Sequence, residues 1–197
     1  MAATADRWLF GPDSPDGFDY RAEFIGQEEE TALEARLATV TFSTFEMRGV
    51  VARRRVAFFG HSYTAGQELT PIPEFLLPLR ARVADWAAIE PEAFAMALVN
   101  EYPPGAPIGW HRDAPQYAVI AGVSLLTPCS MRFRPYAPRN PTGPRGRRTT
   151  SHEVILEPRS AYLMTGASRQ DYEHHIPAVT ALRYSITFRT LREPAPR

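Results

Sequence analysis

From Ala95 onward the chain breaks into short runs separated by Pro, Gly and Asn. Runs near 96–102, 108–113, 118–126, 130–136, 153–156, 160–165 and 182–191 have the length and composition of strands, so about seven strands share this half of the chain. That density predicts a sandwich or jelly roll. The 19 prolines among 197 residues agree with it, because each fixes φ and removes a backbone donor, which favours short strands and loops over long helices.

The first half reads differently. Residues 1–25 carry turn chemistry at Pro12-Asp13-Ser14-Pro15-Asp16-Gly17 and are expected to be irregular. A short helix follows, with Glu28, Glu29 and Glu30 suiting its positive N-terminus and Leu33, Leu37 and Val40 forming its apolar stripe. Val50 to Phe59 reads as a strand with a surface cluster of Arg53, Arg54 and Arg55. Pro73 to Ile89 reads as a second helix, through Phe75, Leu79, Val83 and Trp86. The expected fold class is therefore mainly β with flanking helices (α+β).

Charge excludes less than the total suggests. The chain has 22 Arg, no Lys, and 22 Asp plus Glu, which taken alone argues against electrostatic binding of nucleic acid. The zero is a cancellation. Residues 1–50 hold 10 acids and 4 Arg, and residues 51–197 hold 12 acids and 18 Arg, so a head of net −6 balances a body of net +6. The loop 137–150 carries Arg139, Arg145, Arg147 and Arg148 and no acid. Every cation is a guanidinium, suited to forked contacts with carboxylates and phosphates. The single cysteine, Cys129, allows no internal disulfide and no multi-cysteine metal cage. The N-terminal residues lack the pattern of a signal peptide, and no apolar run approaches 18 residues. The expectation is a cytoplasmic, monomeric protein with no membrane partner.

One constellation carries chemistry. In His111-Arg112-Asp113, residues two apart on a strand project from one face, so His111 and Asp113 can chelate one ion while Trp110 and Arg112 face away. A second imidazole, from His174 or His175, completes a two-histidine, one-carboxylate triad of the kind that suits Fe(II) with open positions. The run Leu182 to Arg189 adds a second signal. Arg183, Ser185, Thr187 and Arg189 share one face and Tyr184, Ile186 and Phe188 the other. The polar face either meets solvent on an outer sheet or lines a cavity that binds an acid.

Three blocks together resemble the AlkB family of Fe(II)/2-oxoglutarate-dependent dioxygenases. They are Asn100-Glu101-Tyr102 with Pro104-Gly105 and His111-Arg112-Asp113, then His174-His175-Ile176-Pro177, then Arg183 to Arg189. The resemblance implies a double-stranded β-helix (jelly roll) core over about 96–192 and N-terminal helices with a substrate lid over about 1–95, within one domain. It implies His111, Asp113 and His174 as iron ligands, with His175 pointing elsewhere. Asn100 and Tyr102 match residues that hydrogen-bond 2-oxoglutarate, Arg183 the partner of its distal carboxylate, and Arg189 the second arginine of that pocket. Ser185 stands where the family often has Asn. The implied reaction consumes O₂ and 2-oxoglutarate and releases succinate, CO₂ and, from an N-alkyl group, formaldehyde.

The family's substrates are alkylated bases in DNA or RNA and, for some members, proteins. Arg53, Arg54 and Arg112, with the arginines of loop 137–150, are candidate phosphate contacts, and Phe58, Phe59 and, first among them, Tyr63 in the lid segment are candidate platforms for a flipped base. Ala114-Pro115 follows Asp113 where DNA-repairing relatives often carry acids. The expected activity is oxidative demethylation of N-alkylated bases in nucleic acid. The alternative is hydroxylation or demethylation of a protein or small molecule.

Overall fold

A computed structural model describes residues 14–47, 50–61, 70–136 and 152–192. Two antiparallel sheets face one another. The larger has seven strands in the order β1-β9-β6-β11-β4-β3-β2 and the smaller has four in the order β5-β10-β7-β8. In chain order the strands are β1 (Phe18–Arg21), β2 (Ser43–Met47), β3 (Val50–Gly60), β4 (Met96–Tyr102), β5 (Ile108–His111), β6 (Tyr117–Leu125), β7 (Cys129–Pro135), β8 (His152–Leu156), β9 (Ala161–Met164), β10 (Tyr172–Ile176) and β11 (Arg183–Leu191). Helices α1 (Gln27–Leu37) and α2 (Leu77–Ala87) cover the outer face of the large sheet, and α3 (Gly166–Gln170) precedes β10.

The core divides into two layers. Leu33 and Leu37 of α1 and Leu79, Val83 and Ala84 of α2 pack on Val99, Val123, Leu163, Ile186 and Phe188 of the large sheet. Between the sheets lie Phe18, Val56, Leu98, Tyr102, Ile120, Met131, Phe133 and Tyr162. Alternation along each strand sends successive side chains into different layers. β11 lies between β4 and β6, which pair both of its edges, and its two faces are covered by the helices on one side and the small sheet on the other. Both expected helices form but are shorter, α1 ending at Leu37 before Val40 and α2 spanning Leu77–Ala87 after a 3-10 turn at Glu74–Leu76, and α1 carries its three glutamates in the first turn. Glu30 does more than meet the helix end. It is buried, accepts from the Leu126 backbone N–H at 2.8 Å and pairs with Arg159 at 3.2 Å.

Several elements depart from the sequence reading. Residues 18–21, expected to be irregular, form β1 on the edge of β9. Only Phe18 of the four is buried, and the turn before it needs Gly17 at φ +82°, where a Cβ would sit 2.4 Å from the Thr165 carbonyl oxygen. The strand exists because of a partner more than 140 residues away, which local pattern does not contain. β2 is likewise an unexpected edge strand, paired to β3. β10 is a further strand outside the expected set, and its sequence Tyr-Glu-His-His-Ile is too polar to carry the pattern of a core run. β5 ends at His111, two residues short of the expected 113.

Candidate active site

β10 pairs with β5 so that His174 stands opposite His111. Their ring centroids are 4.2 Å apart. Because β5 stops at His111, Asp113 comes from the segment after the strand and not from its face, as a simple two-residue period expects. That segment still delivers the carboxylate to the same place. His174 Nε2 lies 3.6 Å from Asp113 Oδ2, and ligand atoms of His111, Asp113 and His174 all lie within 4.8 Å of one another. Two ligands at about 2.1 Å from a common ion are separated by roughly 4 Å at most, so a small contraction brings the three onto one metal.

The protonation states favour ligation. His111 Nδ1 is 2.8 Å from the Gly109 carbonyl, which only accepts, so Nδ1 is the donor and Nε2 is the ring nitrogen turned to the triad. Burial, reinforced by the nearby His111 ring, lowers the His174 pKa to about 3, leaving a neutral imidazole. Its Nδ1 is buried without a hydrogen-bond partner. Burial of Asp113 opposes ionisation, but Arg189, His174 and His111 outweigh it and hold the carboxyl well below the usual range. Arg189 Nη2 donates to Asp113 Oδ1 at 2.8 Å. His175 points the other way, with Nδ1 2.7 Å from the Ile108 carbonyl and its ring 5.1 Å from Trp110. The outward face of β5 and β10 is completed by Arg134, whose guanidinium sits 4.1 Å over Trp110.

Asp113, His111 and His174 open into a cavity between the sheets, shared with Asn100, Tyr102, Ser185 and Arg189. The polar face of β11 therefore lines a cavity and does not meet solvent. Deeper in the same layer, Arg183 is wholly inaccessible. It donates to Ser124 Oγ from Nε at 3.3 Å and from Nη2 at 3.1 Å, and lies 5.0 Å over the Tyr102 ring. Its Nη1 has no partner, and no carboxylate among the described residues pairs with it. Buried guanidinium groups are almost always matched by an acid. The donor set therefore fits both a metal at the triad and a carboxylate-bearing ligand reaching Arg183.

The lid residues divide. Along β3, Arg54 faces the cavity side and donates to Asn100 Oδ1 at 3.2 Å, while exposed Arg53 lies on the other face near Gly105. Arg55 is drawn into an ion pair with Glu101. The run of three arginines is thus not one surface cluster. Phe59 packs against the helix-side core, away from the triad, whereas its neighbour Phe58 is 42% exposed on the cavity-side face. Arg112 leaves the triad on the outward side and stacks at 3.5 Å over Tyr136. Tyr63 and the arginines of loop 137–150 lie outside the described residues.

Two residues that sequence reasoning missed belong to the site. Tyr162 lines the cavity, is locked by stacking on Phe18 at 5.7 Å, and its hydroxyl pKa is raised by burial and by Asp113. Its ring occupies the space over Gly122, where a Cβ would come within 2.3 Å. A glycine inside the apolar run 117–125 was the available signal, since strand glycines mark close approach. Arg169, 4% exposed, donates to the Ala114 carbonyl and so holds the segment that carries Asp113.

Comparison with known proteins agrees with this geometry. The sequence profile of the 2OG-Fe(II) oxygenase superfamily matches residues 28–189. The chain is 28% identical over 147 residues to the Arabidopsis thaliana "Alkylated DNA repair protein ALKBH8 homolog", covering 64% of this chain and 42% of that protein. It thus spans about two-fifths of the length of that relative. Its fold matches that of OsALKBH1 with a TM-score of 0.63 at 14% identity, covering 88% of this chain and 98% of the other. A Pseudomonas putida prolyl-4-hydroxylase matches with a TM-score of 0.59 at 16% identity, covering 90% and 94%. Both place the paired sheets in the double-stranded β-helix fold. The profile, which spans most of the chain, shows that it belongs to the 2OG-Fe(II) oxygenase superfamily, whose cofactors are Fe(II) and 2-oxoglutarate.

Proposed function

We propose that this dioxygenase removes N-alkyl groups from bases of DNA or RNA, releasing formaldehyde. The observation that carries the reading is the convergence of ligand atoms of His111, Asp113 and His174 within 4.8 Å, in the same layer as an unmatched, fully buried Arg183. The name of the Arabidopsis relative, an alkylated DNA repair protein, supports nucleic acid as the substrate class.

Fe(II) and 2-oxoglutarate, when bound, supply the O₂-dependent oxidation, with succinate and CO₂ as co-products. His111, Asp113 and His174 hold the iron. Arg183 takes the distal carboxylate of 2-oxoglutarate, with Tyr102 against the same guanidinium. Asn100 gives its carbonyl oxygen to Arg54 and thereby turns its amide N–H groups toward the cavity. Arg189 fixes one oxygen of Asp113 and leaves the other toward His174. Ser185 adds a short hydroxyl to the same wall. Ile108, Ile120, Met131 and Ile176 exclude water around these groups. Arg54, on the cavity side of β3, and Arg112, on the outward side beside Tyr136, are cations suited to phosphate, and Arg53 is exposed on the other face of β3.

The test is direct. Fe(II)-loaded protein with 2-oxoglutarate and oligonucleotides carrying 1-methyladenine or 3-methylcytosine is assayed for the unmethylated base by mass spectrometry and for succinate. Demethylation that disappears in His111→Ala supports the proposal. Absence of both demethylation and stimulated succinate formation, on single and double strands alike, overturns it in favour of a protein or small-molecule substrate.

A further inference from the structure

Asp113 borders a second hollow besides the central cavity. This pocket, of about 490 Å³, is lined by Arg112, Arg169 and Arg192, with Asp171 and the Ala114 backbone completing it. Its charges do not balance. Asp113 is already engaged by Arg189 and faces the two histidines, which leaves exposed Asp171 as the one other acid of the lining against three arginines. Arg169 is 4% exposed, its Nε is buried with no hydrogen-bond partner, and its side-chain bond is to a backbone carbonyl, not to an acid. The strongest charge acting on it is Asp113, which Arg189 already holds, and the like charges of Arg189, Arg192 and Arg112 act against it. A guanidinium in that position is costly unless an anion completes it.

The other two arginines are arranged to receive one. Arg112 is held flat on Tyr136 at 3.5 Å and tied to the Gln170 carbonyl at 3.0 Å, so little conformational freedom remains to be lost on binding. Arg192 is exposed, and its backbone N–H is fixed to the Gln116 carbonyl at 2.7 Å. One buried and two accessible guanidiniums around an open pocket suit a tetrahedral oxyanion that still carries substituents. They exceed what one small carboxylate needs.

We infer that this pocket seats a backbone phosphate of the substrate strand, next to the nucleotide whose base enters the cavity. The inference rests on the nucleic-acid reading proposed above. Because Asp113 is a wall of both hollows, a base held at the triad and its own neighbouring phosphodiester are brought to adjoining sites. The phosphate then sets the register of the strand while carrying no sequence information.

The experiment measures binding, without turnover. Anaerobic holoenzyme with Fe(II) and 2-oxoglutarate is titrated against a labelled single-stranded heptamer containing one 1-methyladenine, with a neutral methylphosphonate at each linkage in turn. In the wild type one linkage beside the modified base weakens binding about tenfold and the others much less. The Arg112→Gln/Arg192→Gln protein binds the all-phosphate strand about tenfold more weakly and is indifferent to methylphosphonate at that linkage. Equal sensitivity at every linkage, or a double variant that keeps the wild-type pattern, overturns the inference. A second arm needs no nucleic acid. Inorganic phosphate, with ionic strength held by chloride, raises the melting temperature of the wild type more than that of the double variant. That difference without any demethylation retains the anion site and overturns only the substrate. Equal shifts overturn the anion site itself.

Discussion

The two faces of β11 are equally buried and chemically opposite. Tyr184, Ile186 and Phe188 face the helices, where apolar contacts are complete and Phe188 meets Phe94 at 6.1 Å. Arg183, Ser185, Thr187 and Arg189 face the other sheet. Orphaned polar atoms collect on that second side, at Arg183 Nη1, Arg189 Nε and His174 Nδ1. One strand therefore separates two tasks at a distance of one residue. The helix side stabilises the fold, and the cavity side holds groups that the fold alone leaves unsatisfied.

Substitutions can break that separation. The largest effect is expected on the cavity side: His111→Ala, at a half-buried position with no ion-pair partner, lowers substrate-stimulated succinate formation by about a thousandfold, several kcal/mol at tenfold per 1.4 kcal/mol, with the melting temperature little changed. On the helix side Phe188→Ala does the reverse. Removal of a fully buried ring costs about 3–5 kcal/mol, read as a lowered denaturant midpoint. Arg183→Met sharpens the contrast at a single position. It raises the 2-oxoglutarate requirement by roughly 30-fold or more, because the bound carboxylate loses its partner. It leaves the cofactor-free protein as stable as before or more so, because an unmatched buried charge is gone. Gly122→Ala, which drives a methyl into the Tyr162 ring, destabilises by about 1–3 kcal/mol and perturbs the cavity wall as well. Arg132→Ala gives the smallest change. Its pair with Glu153 is about half exposed, so stability moves by roughly 0.5 kcal/mol or less in thermal unfolding.

Legibility in the sequence followed the same division. β4 lies where its apolar run predicts, at Met96–Tyr102, and the jelly-roll class follows from strand spacing. Both faces of β11 were readable because alternation is complete over seven residues, 183–189. The choice of His174 over His175 came from resemblance, and the structure places the two rings on opposite sides of β10. What escaped the sequence depends on distant partners. β1 and β2 are edge strands made by their neighbours, and β10 looks polar because one face serves the cavity. The direction of Arg54 against Arg53 needed the register of β3 on β4, where Val56 stands opposite Asn100. Tyr162 left only the trace of Gly122 in the facing strand, and Arg169 sits on no recognisable motif, so that the path of the segment after His111 alone reveals it.

The place of β11 in the sheet also governs how the chain reaches its native state. It is the last strand in chain order, yet it joins β4 and β6, which were made some 60 to 90 residues earlier. Until it arrives during synthesis, those two strands present unpaired edges to one another and to other chains. Closing the gap requires contacts of long sequence separation, so the loop-closure cost falls late and folding is slow relative to a helical protein of the same size. During that interval the half-built sheet is open to edge-to-edge aggregation, and a chaperone able to shield open strands has its greatest effect then.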